Sequence, residues 1–167
     1  MPSLIRRTAL LSLATAVLSL AAAAPAVAGP PWISIELPAN PLDSTTRGAF
    51  LLVHTYHHEQ ATRELVVGQA ISIVDGRRRT IDLDFERTAS PGVLALRQSW
   101  PTSGAWVLVI SVGPRDGAAT AVVSVGADGA VRDVRVPTET RDAHTWPRPV
   151  TARDIDEALV RAAVRAA

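Results

Sequence analysis

A chain of 167 residues, 47% hydrophobic and 20% charged, is long enough for one domain with a proper core and too apolar to be disordered. Its formal net charge is +1 and all 17 basic residues are arginine, so no basic excess points to nucleic acid. The absence of cysteine excludes disulfides, thiolate nucleophiles, cysteine zinc sites and lipoprotein acylation.

Residues 1–28 read as a secretory signal peptide. Arg6 and Arg7 supply the positive start, residues 8–24 are apolar, and Ala26 and Ala28 put small side chains where a signal peptidase reads them. Cleavage before Gly29 removes two arginines and no acid, so the mature chain sits near −1. The competing reading is an uncleaved anchor helix. An apolar run of about 17 residues is at the short end for a bilayer, and no basic stop-transfer flank follows. The expected location is periplasmic or secreted, with no membrane span after cleavage.

Residues 32–37 alternate, Ile33, Ile35 and Leu37 facing one way, as in a half-buried strand. Pro38, Pro41, Asp43 and Ser44 mark a loop. Residues 48–56 are apolar on both faces at their start, which suits a central strand. A helix over 49–65 competes and would stack His54 and His58 one turn apart. The strand is preferred because every later segment is β-like.

Residues 66–74 and 78–86 form a hairpin. A two-residue Asp75-Gly76 turn would pair Ile71 with Thr80 and set the two apolar rows on opposite faces. A three-residue loop with Val74 pairs Gln69 with Ile81, unites the rows and places Gly76 at a left-handed bulge; this is the expected register. Ser90-Pro91-Gly92 turns the chain into a strand over 93–100. Residues 105–112 are apolar throughout, a second central strand. Residues 113–117 break it, and 119–125 and 131–136 are joined through Gly126 and Gly129.

About eight short strands with glycine and proline turns, and no crossover helices, predict an all-β, immunoglobulin-like antiparallel β-sandwich over 29–138. Residues 139–150, containing Trp146, Pro147, Arg148 and Pro149, read as an extended linker. Residues 151–167 read as a short C-terminal helix capped by Thr151 with Asp154 three residues on. Its loose apolar stripe is Ile155, Leu159, Val160, Ala163 and Val164. Such a helix docks on the sandwich, binds a partner or frays.

His54, His57 and His58 are the candidate metal ligands, copper or zinc being the ions that imidazole suits. A regular strand sets His54 and His58 about 13 Å apart and turns His57 to the other face. One ion therefore requires the strand to end near Tyr56, or a donor from Glu59, Asp82, Asp84 or His144. Asp82, Asp84 and Glu86 read as one solvated strand face with arginine partners. Arg77, Arg78 and Arg79 sit at a hairpin tip, solubilising or touching an anionic surface. Trp32 and Trp106 read as core, and Trp100 and Trp146 as surface residues able to stack on sugars. No G-x-S-x-G, P-loop, dinucleotide fingerprint or H-E-x-x-H is present, so no enzyme is expected and no catalytic or cofactor-binding residue is assigned.

Pro91-Gly92-Val93 and Gly104-Ala105-Trp106-Val107-Leu108 resemble paired elements of periplasmic immunoglobulin-like domains of the YtkA-like and FixH-like families and of carboxypeptidase-regulatory-like modules. The histidine run 54–58 is similar to that of bacterial exported proteins. The resemblance implies an extracytoplasmic sandwich, in some cases encoded beside metal-handling proteins. Copper-binding members use methionine and histidine, whereas the one methionine here is Met1. The expected role is a non-enzymatic binding or accessory module of the cell envelope, handling a metal through the histidines. The alternatives are an interaction module for an envelope protein partner, through the C-terminal helix or a sheet edge, and a hydrolase whose site is not visible in the sequence.

Overall fold

The computed structural model describes residues 30–37, 39, 42–113 and 119–164. The signal-peptide segment, Pro38, Pro41 and most of the 113–117 break lie outside the described residues. The strands are β1 (Trp32–Glu36), β2 (Leu51–His57), β3 (Gln60–Ala61), β4 (Val66–Val74), β5 (Arg77–Asp82) and β6 (Phe85–Arg87). They continue as β7 (Val93–Leu96), β8 (Trp106–Val112), β9 (Ala119–Val125), β10 (Val131–Arg135), β11 (Thr138–Arg141) and β12 (His144–Pro147). One helix, α1 (Ala152–Ala163), closes the described chain.

One sheet runs β1-β2-β7-β6, with β3 added to β2; the other runs β10-β9-β8-β4-β5; β11 and β12 form a separate hairpin. Every pairing is antiparallel. The first order is the A-B-E-D sheet of an immunoglobulin-like sandwich and the second its C′-C-F-G sheet, with β10 beyond G. The all-β class, the antiparallel sandwich and the C-terminal helix are thus those the sequence leads one to expect.

The core lies between the sheets. Leu51, Val53 and Leu96 of the first meet Trp106, Leu108, Ile110, Val112, Ala121, Val123 and Val125 of the second, all at most 2% exposed. Each such large side chain contributes about 1.5–3 kcal/mol by leaving water. Because β8 and β9 are central in their sheet, their other face is apolar too, and α1 covers it. Val107 and Val122 pack there against Ala158 and Ala162 of the helix. Those alanines bring the helix close enough for Ser124 Oγ to donate to the Ala158 carbonyl at 3.1 Å. Asp156 takes a bond from Arg78 at 2.7 Å, and Arg161 reaches Asp133 at 2.8 Å. The Thr151–Asp154 capping box forms as expected. Arg148 forks onto the Asp154 carboxylate at 2.7 and 2.6 Å. That guanidinium, aided by Thr151, holds the Asp154 carboxyl well below the usual carboxylate range.

Four expectations are corrected. The β4–β5 turn is the two-residue Asp75-Gly76 form, pairing Ile71 with Thr80, with positive φ at both central residues. The apolar rows separate, and the Val67, Ile71 and Ile73 row lies outside the sandwich, with Ile71 buried and Val67 and Ile73 exposed. Gly68 and Ala70 face the sandwich, where a Cβ on Gly68 would meet Val109 O, Leu83 and Phe85 at 3.0–3.1 Å, while Ile71 lies opposite Val107 on the helix side. Second, the 78–86 strand is two strands. The chain leaves one sheet after Asp82 and joins the other at Phe85, so Asp82, Asp84 and Glu86 share no strand face. Third, the 139–150 stretch holds the β11–β12 hairpin, with Asp142 and Ala143 at positive φ in its turn. Fourth, the tryptophan assignment of Trp32 and Trp100 is reversed. Trp32 is 37% exposed, whereas Trp100 is 3% exposed, its ring edge-on to Phe50 at 5.1 Å.

Candidate functional site

Three histidines leave β2 in different directions. His54 stands on the outer face of its sheet, opposite Ser34 and Val93. Its Nε2–H donates to Glu36 Oε2 at 2.7 Å, and its ring lies parallel to Tyr56 with centroids 6.2 Å apart. His57 ends the strand opposite Gln60. His58 and Glu59 form the turn into β3 with φ of 50° and 63°. A two-residue turn of that hand normally uses asparagine, aspartate or glycine, so the backbone is strained here. The turn brings the His57 and His58 rings to a centroid distance of 4.5 Å, tilted by 39°. His54 is paired with Glu36 and does not join them. Among the described residues, no three histidine, aspartate or glutamate side chains converge to hold an ion. Two of the additional donors considered are bound elsewhere: His144 Nδ1 to the Asp142 carbonyl at 2.7 Å, and Asp82 to Gln69 at 3.1 Å.

The larger feature is a cleft of about 590 Å³ where the sandwich opens at its mouth. Three pieces of chain build it: 63–66, crossing to the second sheet; 83–88, crossing back; and the turn and strand over 89–94. Ser90 to Val93 is a type II turn. Val93 N donates to Ser90 O at 3.3 Å, Pro91 fixes the first corner, and Gly92 takes φ +70° at the second. That turn is held against the strand end. Thr55 N donates to Gly92 O at 2.8 Å, and Thr62 N to Thr55 O at 2.9 Å. Thr55 Oγ1 adds bonds to the Thr62 and Gly92 carbonyls. A Cβ on Gly92 would meet Thr62 O at 2.9 Å and Thr55 O at 3.0 Å, so no other residue fits.

The floor is apolar, with Val66, Leu83, Phe85 and Leu94 supplied by the inner faces of the sheets and Leu65, 69% exposed, at the lip. The rim is charged. Arg63 and Glu64 stand on one wall, Asp84 and Arg87 on the other. No ion pair ties any of the four to another described residue, although eight arginines elsewhere are paired with carboxylates. The volume is that of a small-molecule site, and the lining is mixed, with apolar side chains on the floor and polar groups over much of the rest.

Behind the same turn lies a second cleft of about 150 Å³, lined by Glu36, Asp43, Leu52, His54, Thr88 and Ser90 among others. Hydrogen bonds from Thr45 lower the Asp43 pKa. Ser90 shares this cleft with the His54–Glu36 pair, yet no hydrogen bond joins Ser90 to His54, and the nucleophile–base contact of a hydrolase is not formed.

The sequence reading located the histidines and the 90–92 turn but not the charged rim. Arg63 and Arg87 lie 24 positions apart with no motif between them, and the crossing at Leu83 and Asp84 that joins them is invisible in an unbroken alternating pattern. Buried Trp100 cannot offer a sugar-stacking face, and Trp146 is half-buried opposite Glu139 in the β11–β12 hairpin.

The fold is an all-β antiparallel sandwich with two clefts at one end. No known protein family, curated protein or solved structure matches the chain.

Proposed function

We propose that this chain is an exported, non-enzymatic binding module of the cell envelope that takes a ligand in the cleft at the mouth of its sandwich. The carrying observation is the cleft itself: an apolar floor and four charges without an ion pair among the described residues, fixed by a turn that only glycine permits. Export is supported by the signal-peptide pattern of residues 1–28. The resemblance to YtkA-like and FixH-like domains agrees with it, since Pro91-Gly92 leads into β7 and Gly104 into β8. Fractionation with N-terminal sequencing is expected to find a mature chain beginning at Gly29 outside the cytoplasm. Binding is tested by fluorescence titration with 1-anilinonaphthalene-8-sulfonate. One saturable site, weakened in Leu65→Ser, supports the reading; no saturable site would end it.

A second reading is metal binding at the β2–β3 turn. The strained, non-glycine conformation of His58 and Glu59 sets the His57 and His58 rings side by side, which favours it. Titration with copper(II) and zinc(II) is expected to show binding that is lost in His57→Ala/His58→Ala and kept in His54→Ala. Binding indifferent to the double substitution would dismiss it. Interaction with an envelope protein has the sheet edges and the outer side of α1 to use, where Val160 and Val164 are exposed while Ala158 and Ala162 are covered.

A further inference from the structure

We infer that the cleft is built for a zwitterionic amphiphile: an apolar tail lying on the cleft floor, with a head carrying both a cation and an anion at the rim. The inference rests on the binding role proposed above and names the ligand class. The floor sets the first requirement. Val66, Phe85 and Leu94 are half-buried side chains that the open mouth leaves reachable, and only an apolar body gains by covering them. The rim sets the second. Each wall carries one guanidinium and one carboxylate: Arg63 beside Glu64, and Asp84 three residues from Arg87. None of the four is ion-paired among the described residues, so both signs are available to a ligand. A purely anionic head would satisfy Arg63 and Arg87 and be repelled by Glu64 and Asp84, and a purely cationic head the reverse. A head with a phosphate or carboxylate and an ammonium satisfies both. The guanidinium fork suits the anionic oxygens, and the carboxylates suit the ammonium.

The test uses the chain lacking residues 1–28, which retains every described residue, and four probes with the same twelve-carbon tail, each below its micellar concentration. They are dodecylphosphocholine (zwitterionic), laurate (anionic), dodecyltrimethylammonium (cationic) and dodecanol (uncharged), measured by calorimetry. Dodecylphosphocholine is expected to bind at one site about fivefold to tenfold more tightly than either singly charged probe, the scale of a pair of exposed charge contacts. Arg63→Ala/Arg87→Ala is expected to shift the preference toward the cationic probe, and Glu64→Ala/Asp84→Ala toward laurate. Their unchanged thermal unfolding shows that the fold is intact. Equal one-site binding of all four probes would overturn the charge inference and leave the binding role standing. Binding of none would overturn both.

Discussion

The outer face of β8 and β9 and the floor of the cleft at the mouth of the sandwich both carry apolar side chains left over by the packing of two sheets, and the chain treats them oppositely. On the first it lays α1, puts Ala158 and Ala162 against Val107 and Val122, and pairs the flanking charges, Arg78 with Asp156 and Arg161 with Asp133. At the second it leaves Leu65 69% exposed and four rim charges without ion pairs among the described residues. Where a surface serves only stability, covering it is favourable by about 25 cal/mol per Å² of apolar area. The second surface stays uncovered, and the Ser90–Val93 turn that Gly92 permits fixes its shape.

Substitutions break the comparison on one side at a time. The largest effect is expected from Ala158→Asp, which puts an unpaired charge where the helix is 0% exposed. It should cost about 3–5 kcal/mol in denaturant unfolding, or undock the helix with loss of amide protection confined to α1 and β8–β9. Gly92→Ala should cost about 1–3 kcal/mol, because φ is +70° and the carbonyls of Thr55 and Thr62 lie in the way. It should also loosen the cleft, so probe affinity falls with stability, whereas Ala158→Asp with a docked sandwich should leave affinity unchanged. Arg148→Ala removes the fork onto Asp154 and should lower stability by less than either of these, since solvent screens the pair. That contribution has a pH signature. Asp154 has a depressed folded pKa, so its stabilisation is complete above the ordinary aspartate pKa of about 3.9 and is lost as pH falls through the lower folded value. Unfolding free energy of wild type minus Arg148→Ala, measured from pH 7 downward, should be flat to about pH 4 and then shrink. The smallest effect is expected from Asp156→Ala, below about 0.5 kcal/mol, since its pair with Arg78 is exposed.

The covered region was far more legible in the sequence than the open one. Residues 106–112 are apolar on both faces, which announces a central strand, and Thr151 with Asp154 announces the helix start. Alternation places side chains on faces but does not say which face is the core. The β4–β5 register differs from expectation for that reason: uniting the apolar rows puts Val67 and Ile73 in the core, whereas the observed register leaves both exposed. The cleft depends on where the chain changes sheets. At Leu83 and Asp84 it does so without glycine or proline, and the alternating pattern runs on undisturbed. The two hairpins that the sequence hid, β2–β3 and β11–β12, turn at His58-Glu59 and Asp142-Ala143. These are left-handed positions without glycine, so the usual turn signal is missing.

The central claim is that the mouth of the sandwich is open to ligand while the face under α1 is closed. Amide chemical-shift mapping of the chain with dodecylphosphocholine tests both halves at once. The account predicts saturable shifts confined to 63–66 and 83–94, with 105–109, 122–124 and 158–162 unmoved. Shifts centred on β8, β9 and α1, with the cleft segments silent, would contradict it.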